Sequence, residues 1–134
     1  KEGLQQWNPR MKGEFPMKAS MLVEDVFPAF GVEMPALKRD EYTLDQYLDE
    51  VIAPHPQLAP VNVFKRRFAF TINEVITEIA EVEINGAAMQ TVAVESVDIP
   101  AILKAKEMLG LNDYENINYL LASKRVIGME PLPK

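Results

Sequence analysis

Between Asn62 and Thr71 the side chains alternate, with Phe64, Arg66, Phe68 and Phe70 on one face of an extended chain and Lys65, Arg67, Ala69 and Thr71 on the other. A period of two in a stretch rich in aromatic and β-branched residues predicts a strand. Val75 to Ile84 resumes the alternation, with Ala80, Val82 and Ile84 on one face and Glu81 and Glu83 on the other. Asn73-Glu74 between the two runs reads as a tight turn. Asn85-Gly86 follows directly, and this pair favours a two-residue hairpin because both positions tolerate positive φ. A third strand from Met89 to Glu95 completes an antiparallel meander.

The rest of the chain changes period. Pro100 to Leu109 predicts an amphipathic helix with Ile102, Leu103 and Leu109 inward and Lys104, Lys106 and Glu107 outward, stopped by Gly110. Thr43 to Ile52 predicts another, with Thr43 as N-cap, Gln46 completing a capping box, and Leu44, Tyr47, Leu48 and Val51 at helical spacing. Ser20 is suited to cap a short helix or turn that ends near Pro28. Met11, Gly13, Phe15 and Met17 alternate with polar neighbours and predict an edge strand or strand pair. The segment Ala53 to Pro60, with three prolines around His55, predicts an extended, stiff connector with His55 exposed and inert. Tyr114 to Ile127 fits either helix or strand. Met21, Met34 and Met108 read as core filler.

The expected fold class is α+β: an antiparallel meander sheet, partial or closed into a β-barrel or tunnel, with helices outside. At 134 residues and 15.1 kDa the chain fits one domain over 1–134. The start at Lys1 without an initiator methionine sets the expectation of a processed or excised piece of something longer. Hydrophobic and charged contents of 48% and 25% belong to an ordinary folded protein rather than a disordered one. No apolar run suggests a membrane span, so a cytoplasmic location with no membrane partner is expected. The absence of cysteine excludes disulfides and thiolate chemistry. A net charge of −6 argues against non-specific nucleic-acid binding, which needs a broad basic surface. A small anionic phosphate ligand remains compatible, because only the local field at its site matters.

The candidate chemistry lies in 61–95. Lys65 and Arg67 are spaced to hold phosphate, while Glu81 and Glu83, with Glu95 beyond, are spaced to hold a hard cation. On neighbouring strands the two sets can face one another. Each also has an ordinary reading as a solvated sheet face or a cross-strand ion pair. No Ser-His-Asp set, glycine-rich phosphate loop or histidine-rich metal motif appears, and no residue is assigned as catalytic.

Lys65 and Arg67, Glu81 and Glu83, Glu95, the helix tail Met108-Leu109-Gly110-Leu111 and the segment Asn118-Tyr119-Leu120-Leu121 together resemble the C-terminal half of a CYTH domain, the triphosphate tunnel metalloenzyme superfamily. The resemblance covers about half the chain, best defined over 61–128. It implies a tunnel whose Lys and Arg hold a triphosphate and whose glutamates hold magnesium or manganese. The reaction it implies is metal-assisted in-line attack of water on a phosphoryl group. The family's opening Glu-x-Glu-x-Lys strand has no counterpart, and Lys12-Gly13-Glu14 is a poor substitute. Two functions follow as expectations. One is metal-dependent binding or hydrolysis of a triphosphate-containing small molecule. The other is a non-catalytic protein-binding or assembly domain, including homo-oligomers formed through sheet edges.

Overall fold

Two-residue turns organise the chain after residue 60. The computed structural model describes residues 3–133. Their contacts divide into two units, one over 5–60 and one over 61–133 together with Gly3 and Leu4. The fold is α+β with antiparallel sheets. Among the described residues no helix is long and apolar enough to cross a membrane.

In the unit after residue 60, β3 (Val63–Ile72), β4 (Val75–Ile84) and β5 (Ala87–Glu95) form an antiparallel meander in that order. Asn73 and Glu74 have φ of 49° and 63°, and Asn85 and Gly86 have φ of 46° and 84°. Left-handed conformation at both positions matches the twist of a tight hairpin. Ile72 therefore pairs with Val75, and Ile84 with Ala87. The Asn85 side chain accepts from the Asn62 N–H at 2.9 Å, fastening the start of β3 to the second turn.

The segment fitted by either helix or strand is a helix, Tyr119–Val126, capped by Asn118, whose Oδ1 accepts from the Leu121 N–H at 2.9 Å. Ala122 of this helix packs with Ala80, Val82 and Ile84 of β4, with Tyr119 and Val126 at the margin. The preceding helix, Ile99–Met108, is capped by Asp98 through the Ala101 N–H and lies against β4 and β5. Its fully buried residue is Ala105, whereas Met108 is exposed and fills no core. Burial on β4 switches face along its length. Val75 and Thr77 are buried on one side and Ala80, Val82 and Ile84 on the other.

The unit over 5–60 is built around a short antiparallel pair, β1 (Met17–Lys18) with β2 (Glu41–Tyr42). Only the end of the alternating stretch becomes strand, because two residues of β2 are all that it pairs with; Met11 and Phe15 stay exposed. The following helical run is longer than expected. It passes from Ala19–Met21 through a π-helical stretch, Leu22–Val26, to Phe27–Phe30, and closes at Gly31 with φ of 67°. Lys18, not Ser20, occupies the cap position. Pro28 does not end the run, since it sits where the ladder returns from π to α spacing and a missing N–H is tolerated.

The expected helix from Thr43 is present as Leu44–Tyr47 continuing into a second π-helical stretch, Leu48–Ile52, and both bonds of the Thr43–Gln46 capping box form. Met17, Leu22, Phe27, Tyr42 and Val51 make the core, with Met21 and Met34 packed at its edge. The Tyr42 hydroxyl accepts from the N–H groups of Lys38 and Arg39 at 2.8 and 3.2 Å. The proline-rich connector is turned rather than extended, with His55 N–H donating to Ile52 and Leu58 N–H to His55. These turns bury His55, which is 8% exposed. Its Nδ1 accepts from the Gln57 N–H at 3.1 Å, which leaves the proton on Nε2, 2.8 Å from the Glu33 carbonyl. His55 is therefore a structural tie, not an exposed loop residue.

Candidate functional site

The hairpin register decides which charges meet. A two-residue turn after Ile72 pairs each odd-numbered position of β3 with an even-numbered position of β4. Lys65 lies opposite Val82 and Arg67 opposite Ala80, whereas Glu81 lies opposite Arg66 and Glu83 opposite Phe64. Paired residues share a face, so Lys65 and Arg67 occupy the side on which Tyr119–Val126 packs, and Glu81 and Glu83 occupy the other. The expected confrontation of these cations and carboxylates across a ligand does not form. Glu95, opposite Ile76, is on the face of Lys65 and Arg67. The three carboxylates expected to hold magnesium or manganese are thus split between two faces. Among the described residues no group of three or more His, Asp or Glu is arranged to hold a metal.

The face of Lys65 and Arg67 carries a carboxylate that strand alternation alone did not single out. Glu78, opposite Ala93 and diagonal to Glu95, accepts from Arg67 Nε at 2.6 Å and is also bonded to Nη2. The Arg67 side chain is 64% exposed and that of Glu78 13%, so a largely covered carboxylate anchors an accessible side chain. The hydrogen bond to Glu78 and its charge hold Arg67 above its ordinary pKa, with lesser contributions from Tyr119 and Glu95. Lys65 Nζ lies 3.8 Å above the Tyr119 ring, a cation–π contact, and the Tyr119 hydroxyl is 2.9 Å from Thr91 Oγ1. Lys65, Arg67, Glu78, Glu95, Thr91 and Tyr119 make one polar cluster. Its two cations are accompanied by two carboxylates on the same face.

The opposite face carries apolar side chains, the Arg66–Glu81 ion pair and, toward the Asn85-Gly86 turn, Glu83. Phe64 and Phe68 are 64% and 52% exposed, and Phe70, Ile79 and Val92 are also exposed on this side. Arg66 Nε donates to Glu81 Oε2 at 2.7 Å across the strands. An open depression of 540 Å³ at the Asn85-Gly86 end is lined by Phe64, Arg66, Glu81, Glu83, Ala88 and Gln90. It holds two of the expected metal ligands and neither of the expected phosphate ligands. Among the described residues β3 and β5 are the edges of an open sheet. All ten residues of β3 are exposed or half-exposed.

No family model, curated protein or solved structure matches this chain.

Proposed function

We propose that the unit after residue 60 is a non-catalytic protein-binding or assembly domain that works through the Phe64–Phe68–Phe70 face and the edges of its sheet. The observation that carries this reading is the exposure of Phe64 and Phe68, with Phe70, Ile79 and Val92 beside them. Contiguous exposed apolar surface rimmed by charge is what protein interfaces present, and open sheet edges accept further strands. The Arg66–Glu81 pair is already made, so covering this face strands neither charge. Sedimentation velocity over a wide concentration range tests the reading. Association is expected for the natural chain and its loss for Phe64→Ser/Phe68→Ser, with the circular dichroism spectrum unchanged. A natural chain that stays monomeric and binds no hydrophobic dye sinks it.

A second reading is favoured by the gathering of Lys65, Arg67, Glu78 and Glu95 on one face. Here the cluster takes a phosphate-bearing small molecule, with Lys65 and Arg67 on its oxygens, as the CYTH resemblance implies. Arg67 would exchange Glu78 for phosphate. Glu81 and Glu83 do not fit the metal set, so no hydrolytic step is derived through magnesium or manganese; a tunnel would also require strands beyond the three of this sheet. Calorimetric titration of tripolyphosphate, with and without either metal, tests it. Binding that Arg67→Ala removes without loss of fold supports this reading, and no binding by the folded chain refutes it.

A further inference from the structure

We infer that two copies of this chain join β3 to β3 across a two-fold axis centred on Phe68, making one six-stranded antiparallel sheet. This rests on the assembly reading and names its partner and register. The first step is the direction of the backbone groups. A two-residue hairpin closes on a pair that exchanges both hydrogen bonds, so Ile72 and every second residue back to Phe64 spend their N–H and C=O on β4. The N–H and C=O of Val63, Lys65, Arg67, Ala69 and Thr71 therefore point away from the sheet. Among the described residues no backbone bond outside the sheet ladder involves Val63–Ile72.

Charge then selects the register. In a two-fold antiparallel pair, one residue opposes itself across the axis. Centring on Lys65, Arg66 or Arg67 sets like cations directly opposite, and centring on Arg66 also sets Lys65 against Arg67. Centring on Phe68 removes every such clash. Phe68 then opposes Phe68, Arg66 of one copy opposes Phe70 of the other, Lys65 opposes Thr71, Arg67 opposes Ala69, and Phe64 opposes Ile72. Centres closer to Ile72 also avoid the clash but pair fewer residues. The Phe68 register is the longest one free of cation–cation opposition, and it brings outward-pointing groups of Arg67 and Ala69 into bonding positions.

The side chains gain as well. Phe64, Phe68 and Phe70 already share a face with the exposed Ile79 and Val92. Joining the strands continues that stripe across the axis as a central aromatic pair. Each Arg66 comes beside a phenylalanine ring while its own Glu81 still neutralises it. The three basic residues would repel a copy arriving in most other registers. They act here as selectors of one alignment.

The chain has no cysteine, so a single introduced thiol reports the register directly. In this alignment Phe68 is a non-hydrogen-bonded pair with Cα atoms about 4.5 Å apart, within disulfide reach. Phe68→Cys is expected to give a covalent dimer with oxidised glutathione. Phe70→Cys, offset from its counterpart by about 13 Å along the strands, is expected to stay monomeric in denaturing gels. Ala69→Pro removes one outward N–H without breaking the β3–β4 ladder, and is expected to abolish association while keeping the monomer's circular dichroism. A natural chain that associates while Phe68→Cys does not cross-link, or cross-links no better than Phe70→Cys, overturns this register and leaves assembly through another surface. A natural chain that is monomeric throughout overturns the dimer, and one that also binds no hydrophobic dye overturns the reading on which it rests.

Discussion

Thr77, the third residue of β4, is wholly buried, and its hydroxyl has no hydrogen-bond partner among the described residues. Its neighbours across the sheet are Phe70 and Val94, so nothing beside it on the strands calls for a polar group. Thr77→Val exchanges the hydroxyl for a methyl of nearly the same shape and keeps the β-branch that suits a strand. A buried hydroxyl without a partner costs about 1–3 kcal/mol on protein mutational scales. A newly buried methyl contributes roughly 0.8 kcal/mol. Because a hydroxyl rotor relaxes toward any weak acceptor, the lower half of that range applies, and with the methyl added a net gain of about 2–3 kcal/mol is expected. In a domain of this size that corresponds to about 4–8 °C in Tm per kcal/mol. Thermal and urea unfolding followed by circular dichroism measures it, with Thr77→Ser as the control that keeps the hydroxyl and loses the methyl. The reasoning fails if Val lowers Tm, which means that the hydroxyl is bonded in solution, or if Ser is as stable as Thr, which means that this site gains nothing from a buried methyl.

Glu74 holds a left-handed φ of 63° in a turn that favours glycine there, so Glu74→Gly should stabilise the first hairpin by about 0.5–1 kcal/mol; a lower urea midpoint would count against the turn assignment. Tyr42→Phe keeps the buried ring but strips the Lys38 and Arg39 N–H groups of their acceptor, and should cost about 1–2 kcal/mol with faster exchange confined to those two amides. His55→Leu leaves the Gln57 N–H and the Glu33 carbonyl without a partner, and should lower the urea midpoint of the 5–60 unit more than His55→Gln does. Arg125 bonds Glu115 through both terminal nitrogens and holds its carboxyl below the usual range. A carboxyl depressed in the folded state adds stability above its unfolded pKa and loses it as pH falls through the folded value. Glu115→Gln should therefore lower the neutral plateau of a midpoint-against-pH curve toward its acid level and so flatten the acid limb; an unaltered neutral plateau and acid limb refute the assignment.

The hairpins were legible because their information is local. Asn85-Gly86 and Asn73-Glu74 set the turns, and alternation set the strands to within a residue or two. The helix from Thr43 was equally readable from its capping box. The pairing of charges was not read, although it was implicit: once Asn73-Glu74 is a two-residue turn, Lys65 must oppose Val82 and Glu81 must oppose Arg66. Alternation gives two faces per strand but not which face joins which, and only turn length supplies that. The same counting places Glu78 on the basic face, although Glu81-Val82-Glu83 is the denser carboxylate pattern in the sequence. The π-helical stretches and the buried His55 depend on tertiary packing around Phe27 and Val51, for which no short sequence signal exists.

The π-helical stretches also set how the chain answers to insertions and deletions. Each of Leu22–Val26 and Leu48–Ile52 closes a wider loop of backbone than an α-turn does. Removing one codon within either would let the ladder relax to regular α spacing, locally the better hydrogen bonding. The residue that closes a π-turn stands where the one closing an α-turn would, so everything downstream keeps its orientation. Phe27 after the first stretch, and Ile52 at the end of the second, would stay on the core they now fill. A deletion scan should therefore find single-residue deletions at the exposed positions Val23, Glu24, Asp49 and Glu50 better tolerated than deletions elsewhere in the same helical runs.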